Sequence, residues 1–356
     1  MTDASWLHTI DPFVFQFGPG VGVRWYGVAY LAGFAFAWWL LRALARRRLI
    51  LLTPEQAGDA MLALVVGVFV GGRVGYVLFY QPSLLFEFTS TLPWWSLLAI
   101  NKGGMSSHGG MIGVVLASLW IARRTKTPPL HVMDLVVFSA PAGLFFGRLA
   151  NFVNGELLGR IVALPGEAGP WWSVRFPQEL LSAHAPDVTA EQQRELLSLL
   201  DVVAPGWTAD NGVGYVGAVD QLITAVQRGS GDIQAQLAPL LAARHPSQLY
   251  QAVAEGPVIF VILALIWRLP RRPGVIGSWF LIIYGALRFI TEHWRLPDDH
   301  LTVQTILGLT RGQWFSVIMI VIGVVMLTLV IPKRNDSPIG GWGRRAEPAS
   351  TPEHNS

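Results

Sequence analysis

Seven stretches of about 20 predominantly apolar residues punctuate this chain, near positions 23–44, 58–80, 105–122, 130–153, 246–267, 275–294 and 314–331. Each is about as long as a helix must be to cross the hydrocarbon core of a bilayer. Lipid offers the backbone no hydrogen-bond partners, so a span of this kind satisfies its own peptide groups as a helix. With 52% hydrophobic and only 14% charged residues, and 15 Trp, an ordinary soluble domain of 356 residues is excluded. The reading is an all-α polytopic membrane protein with about seven transmembrane helices. An eighth, interfacial segment fits around 82–100.

Basic residues orient these spans, because short cytoplasmic loops retain Lys and Arg. Arg42, Arg46, Arg47 and Arg48 follow the first run, Arg123, Arg124 and Lys126 the third, Arg268, Arg271 and Arg272 the fifth, and Lys333 and Arg334 the seventh. All four clusters fall on one side, which predicts a periplasmic N-terminus and a cytoplasmic C-terminus. No basic stretch precedes the first span, which argues against a cleaved signal peptide. The formal net charge of +3 mostly reports these loops and calls for no nucleic-acid partner.

The expected organisation is a membrane domain whose first part is 1–160, a periplasmic insertion over 161–244, a second membrane part over 245–332, and a disordered cytoplasmic tail over 333–356. Within the insertion, hydropathy falls and helices are predicted at Ala190–Val203 and Val219–Leu241. The sequence contains no Cys, so it has no disulfide frame and no enzyme thiol.

The polar residues of the spans sort to one side. Tyr26 lies at the outer end of span one, Arg73 and Tyr76 near that of span two, and His108 at the outer start of span three. Arg148, Asn151 and Asn154 close span four, with Glu156 just beyond. His245 and Gln248 open span five, and Tyr284, Arg288 and Glu292 close span six. Residues three or four apart share a helix face, so Tyr284, Arg288 and Glu292 form one stripe. Arg288 with Glu292 reads as an intrahelical ion pair, whereas Arg148 has no evident counter-charge, and a charge at membrane depth is normally kept for a pathway or a site. Glu255 lies deeper and stands apart from the set. Such a cluster asks for an anion.

Glycines surround these positions: Gly67, Gly71, Gly75, Gly109, Gly113, Gly143, Gly147, Gly155 and Gly159. Their spacing by four favours close helix approach. His108 stands among glycines in the segment 103–113, and an imidazole can take a proton near neutral pH. The histidines show no metal-ligand pairing. Ser107 is adjacent to His108 and Ser106 is two residues before it, so neither can face it on a helix as a serine–histidine pair.

The run from Gly147 to Glu156 (GRLANFVNGE) resembles the signature of the bacterial prolipoprotein diacylglyceryl transferase family. Four further segments resemble that family's motifs in the same order: Arg24-Trp25-Tyr26-Gly27, Gly103 to Gly110, His245-Pro246-Ser247-Gln248-Leu249-Tyr250, and Tyr284 to Glu292. The resemblance covers roughly 10–160 and 244–297. Ala150 stands where the family usually has glycine, Leu158 where it often has tryptophan, Ser107 where an aromatic is common, and Gln251 where glutamate often follows the tyrosine.

The resemblance implies transfer of an sn-1,2-diacylglyceryl group from phosphatidylglycerol to the lipobox cysteine thiol of a prolipoprotein, releasing sn-glycerol 1-phosphate. It implies no cofactor and no metal, and a multi-pass enzyme of the bacterial inner membrane whose site faces the periplasmic leaflet. Charge grows on the departing phosphate, so preplaced guanidinium groups stabilise the transition state more than the ground state. Arg148 and Arg288 are the residues expected to do this, with Asn151, Asn154 and Tyr26 as donors that orient the headgroup. His108 is the candidate base for the thiol, assisted by Tyr284. Glu292 is expected to hold Arg288, and Glu156 either to hold Arg148 or to bind the glycerol hydroxyls. Arg73 and Gly159 complete the candidate substrate-binding set. An anionic-lipid transporter or flippase is the rival, and it would spread polar groups through to the cytoplasmic side.

Overall fold

The computed structural model describes residues 3–18, 21–90, 92–99, 103–209, 212–296 and 305–343. Among them the helices are α1 (Trp25–Arg46), α2 (Pro54–Phe79), α3 (Ser107–Thr125), α4 (Pro129–Asn154), α5 (Ala190–Val203), α6 (Gly214–Gln227), α7 (Gly231–Leu237), α8 (Ser247–Val253), α9 (Ile259–Ile266), α10 (Val275–Thr291) and α11 (Arg311–Val325). Six helical runs are long and apolar enough to cross a membrane: α1, α2, α4, the run Ser247–Ile266 through α8 and α9, Val275–Trp294 and Arg311–Lys333. The expected third span, α3, is not among them. His108, Gly109, Gly110, Gly113, Arg123 and Arg124 dilute its apolar character.

The fold is not purely helical. Short strands form at β1 (Trp6–Leu7), β2 (Phe13–Gly18), β3 (Val21–Arg24), β4 (Ile161–Ala163), β5 (Val174–Arg175), β6 (Ala243–Arg244), β7 (Thr305–Ile306) and β8 (Leu309–Thr310). Strands of two to six residues leave too little alternation for a sequence pattern to reveal them.

The chain divides into two compact units: one of Met1–Gly33, Ala142–Val258 and Ile283–Ile320, the other of Phe34–Pro141, Ile259–Ile282 and Val321–Ser356. In the second unit α2 begins in a capping box, with Thr53 accepting from the Gln56 N–H and Pro54 at the first helical position. α2 packs on α3 through glycines, since a methyl on Gly67, Gly71, Gly109 or Gly113 would run into the facing backbone. Asp134 of α4 accepts from the Gly274 and Gly277 N–H groups at 2.7 and 2.6 Å, satisfying donors at the start of α10. Residues 339–342, which the sequence places in a disordered tail, are tied down. Ile339 pairs with Arg271, and the Trp342 indole donates to the Ala264 carbonyl at 2.7 Å. The rest of the predicted tail, from 344 on, lies outside the described residues.

The first unit carries a four-stranded sheet in the order β1-β5-β6-β4, with β1 parallel to β5 and the other pairs antiparallel. Ile161 pairs with Arg244, so residues 161–244 leave and return on neighbouring strands. α5 has the bounds predicted for it. The second predicted helix is instead α6 and α7, separated at Gly229, whose φ of +86° ends α6. Leu199, Leu200, Val219, Leu222, Val226, Leu237 and Leu241 form a core of their own here.

Beside that core the Arg244 guanidinium pairs with Glu179, and both side chains are excluded from solvent. Glu179 also accepts from the Ala242 N–H at 2.7 Å, while Arg244 donates to the His184 carbonyl at 2.9 Å. Breaking a buried pair strands a charge, so Glu179→Ala is expected to cost about 3–5 kcal/mol of stability. A thermal unfolding midpoint unchanged from wild type would contradict this.

His8 is wholly buried among Trp6, Phe152 and Phe176. Burial there disfavours the imidazolium and brings its pKa down to about 4. The unfolded chain takes up a proton below pH 6.5 that the folded chain refuses until about pH 4. Stability is therefore expected to fall as pH drops through that window, by up to about 3 kcal/mol, and to level off at either end. Unfolding midpoints measured from pH 4 to 8 should show this slope in wild type and a flatter one in His8→Phe.

Candidate functional site

The site begins with the way α4 ends. Gly155 has a φ of +66°, which glycine adopts without a Cβ penalty. The Glu156 N–H reaches back to the Asn151 carbonyl and the Gly155 N–H to the Phe152 carbonyl, each at 3.0 Å. This pair of bonds is a Schellman motif, and it reverses the chain at the helix terminus. A Cβ at position 155 would also strike the Gln178 side chain.

The reversal brings the Glu156 carboxylate back over the last turns of α4. It accepts from the Tyr26 hydroxyl at 2.8 Å, from Asn151 at 3.3 Å and from Asn154 at 3.2 Å. The Asn151 amide donates to the Tyr26 hydroxyl as well. The donors expected to meet a headgroup are thus gathered on one carboxylate, and Glu156 does not hold Arg148.

Arg148 lies two turns earlier on α4 and has a counter-charge after all. Its guanidinium makes two bonds to Glu255, Nε to Oε2 at 2.8 Å and Nη2 to Oε1 at 3.2 Å. The Glu255 side chain is fully buried and that of Arg148 is 15% exposed. Glu255 sits in a π turn, Ala254–Val258, between α8 and α9. Such turns widen a helix, and Pro257 supplies no backbone donor to close a regular one. Depth along its span separates Glu255 from the outer polar set in the sequence, and its partner Arg148 is 107 residues away in the chain.

Tyr284 interacts with Arg148 and lies in the field of Glu255 and Arg288. It connects α4 with α10. Arg288 pairs with Glu292 at 2.9 Å, and Glu292 accepts from the Thr310 hydroxyl at 3.3 Å. The Arg288 Nη1 is buried and has no hydrogen-bond partner among the described residues. Tyr26, Arg148, Asn151, Asn154, Glu156, Tyr284, Arg288 and Glu292 all belong to the first unit.

Two predicted ligands are committed to the backbone instead. Arg73, 6% exposed, donates to the carbonyls of Leu97, Gly103, Gly104 and Ser96 at 2.6–2.9 Å. It clamps the loop between α2 and α3, which leaves it little to offer a lipid. The expected interfacial segment at 82–100 lies in that loop; its described part has two 3-10 turns, Pro82–Leu85 and Ser96–Leu98, and exposes Phe86, Phe88 and Trp94. Gly159 pairs with Arg295 across a backbone bridge, and a Cβ there would collide with the His245 carbonyl. It serves close packing. His108 belongs to the second unit, exposed in the first turn of α3, whose N-cap is Ser106 accepting from the Gly109 N–H at 3.2 Å.

Six apolar helical runs, with paired arginines and carboxylates gathered at the ends of several of them, define a polytopic membrane protein that holds polar chemistry among its helices. Known sequences narrow the class. The prolipoprotein diacylglyceryl transferase family profile matches residues 12–329. The chain is 41% identical over 350 residues to the phosphatidylglycerol–prolipoprotein diacylglyceryl transferase of Bdellovibrio bacteriovorus, covering 95% of this chain and 97% of that one. It is 38% identical to the enzyme of the same name from Serratia proteamaculans and 39% to that of Xylella fastidiosa, each covering 91% of this chain and 94% of the relative. This chain belongs to the prolipoprotein diacylglyceryl transferase family.

Proposed function

We propose that the protein transfers the sn-1,2-diacylglyceryl group of phosphatidylglycerol to the lipobox cysteine thiol of a prolipoprotein, forming a thioether and releasing sn-glycerol 1-phosphate. The observation that carries this reading is the pair of arginines, Arg148 and Arg288, linked through Tyr284, with a buried Arg288 N–H that no protein group accepts among the described residues. Guanidinium donors held in place by Glu255 and Glu292 need no reorganisation as charge grows on the leaving phosphate. The Glu156 cluster with Tyr26, Asn151 and Asn154 borders the headgroup. His108 takes the thiol proton, since the thiolate is the nucleophile.

In this reading α3 is a seventh span, short and drawn into the membrane by its glycine contacts with α2. The N-terminus and residues 161–244 are periplasmic, and 245–332 complete the membrane domain begun by 1–160. The basic clusters ending at Arg48, Lys126, Arg272 and Arg334 face the cytoplasm, as does the segment 333–356. The enzyme resides in the inner membrane and works from its outer leaflet.

The test is a purified enzyme incubated with phosphatidylglycerol and a lipobox peptide. Mass spectrometry should find the peptide heavier by one diacylglyceryl group, with glycerol phosphate released in equal amount. Lipid movement across a vesicle without either product would support a flippase instead.

A further inference from the structure

The face of α8 turned towards α4 carries a polar group that the chemistry above leaves unused. Gln248 and Gln251 lie at i and i+3 on α8, about 60° apart at 100° per residue, and Glu255 follows in the π turn after it. Three contacts set that face against α4. Gln248 Nε2 donates to the Glu156 carbonyl, Glu255 holds Arg148, and Gly256 packs on the Phe145 side chain. Numbers rise along one helix as they fall along the other, so Gln251 lies between the Glu156 cluster and the Arg148–Glu255 pair.

Gln251 is completely buried, and neither its Nε2 nor its Oε1 has a hydrogen-bond partner among the described residues. The Oε1 of Gln248, also completely buried, is unpartnered too. Buried polar atoms are nearly always paired because each unmade bond carries its full desolvation cost. A primary amide that must both donate and accept is matched by a hydroxyl, which does both. A phosphate oxygen accepts only and would leave Oε1 unmade. An ammonium headgroup donates only, and it would sit beside Arg148.

We propose that Gln251, with the Oε1 of Gln248, is the subsite for the vicinal hydroxyls of the donor lipid's glycerol headgroup, and so sets the preference for that headgroup. The proposal rests on phosphatidylglycerol being the donor.

The experiment compares phosphatidylglycerol with phosphatidylpropanol, which keeps three headgroup carbons and lacks both hydroxyls, using the full chain and a lipobox peptide. Wild type should prefer phosphatidylglycerol by about tenfold or more in kcat/KM. Gln251→Leu should lower the phosphatidylglycerol value by about tenfold and leave phosphatidylpropanol within about twofold. Gln251→Glu, which still accepts from a hydroxyl, should keep most of the preference. No preference in wild type, or an equal loss with both donors in Gln251→Leu, overturns the proposal. If wild type transfers from neither lipid, the transferase reading fails and binding decides the subsite. Dioctanoyl-phosphatidylglycerol must then raise the unfolding midpoint of wild type more than dioctanoyl-phosphatidylpropanol does, and equal shifts overturn it.

Discussion

Arg148→Ala should reduce diacylglyceryl transfer by a factor of about 10³. The reason lies in the geometry around the side chain. Arg148 is held by two bonds to the Glu255 carboxylate and approached by Tyr284, so its charge is fixed before substrate arrives. A preplaced charge acts fully on a transition state in which phosphate leaves, and water reaching a truncated site would not replace it. The substitution has a second consequence. Glu255 would remain buried without a partner, at a cost of about 3–5 kcal/mol. Loss of activity could then be mistaken for loss of fold. The double variant Arg148→Ala with Glu255→Ala separates the two, because it removes both charges. Its unfolding midpoint should return most of the way to wild type while transfer stays about 10³ down. Activity within tenfold of wild type in the single variant would remove Arg148 from the chemistry.

His108→Ala should behave in the opposite manner towards stability. The residue is exposed in the first turn of α3, where surface substitutions usually change stability by less than about 0.5 kcal/mol. Transfer should nonetheless fall by about 10²–10⁴, the usual contribution of a positioned general base. A pH series distinguishes a base from a phosphate ligand. Free cysteine ionises near pH 8.5, so above that value the peptide supplies its own thiolate and the variant should recover much of its rate. A deficit that stays constant from pH 6 to pH 10 would assign His108 to lipid binding.

The membrane character of the chain was legible because its cause is local: a span must be apolar over its whole length, and composition alone reveals that. The polar stripe Tyr284, Arg288 and Glu292 was legible for the same reason, since spacing along one helix fixes which residues share a face. α5 was readable to its ends because Thr189 and Gln192 form a capping box there. What stayed hidden depends on contacts between distant segments. Glu255 could not be matched to Arg148 without knowing that α8 runs back along α4. Arg73 reads in the sequence as a candidate substrate-binding residue, and only the loop carbonyls closing on it show where its donors go. Gly159 reads in the sequence both as a close-packing glycine and as a candidate substrate-binding residue, and it takes the His245 carbonyl against it to choose packing.

The pairing of Ile161 with Arg244, reinforced by Gly159 lying against His245, joins the end of α4 to the start of α8 as a seam. Loop-closure entropy grows only logarithmically with length. Between Ala163 and Ala243, β5 and Glu179 belong to that seam, since without them Arg244 would be buried unpaired, whereas the loops joining α5, α6 and α7 can be shortened or lengthened at little thermodynamic cost while Arg148 and Glu255 stay in register.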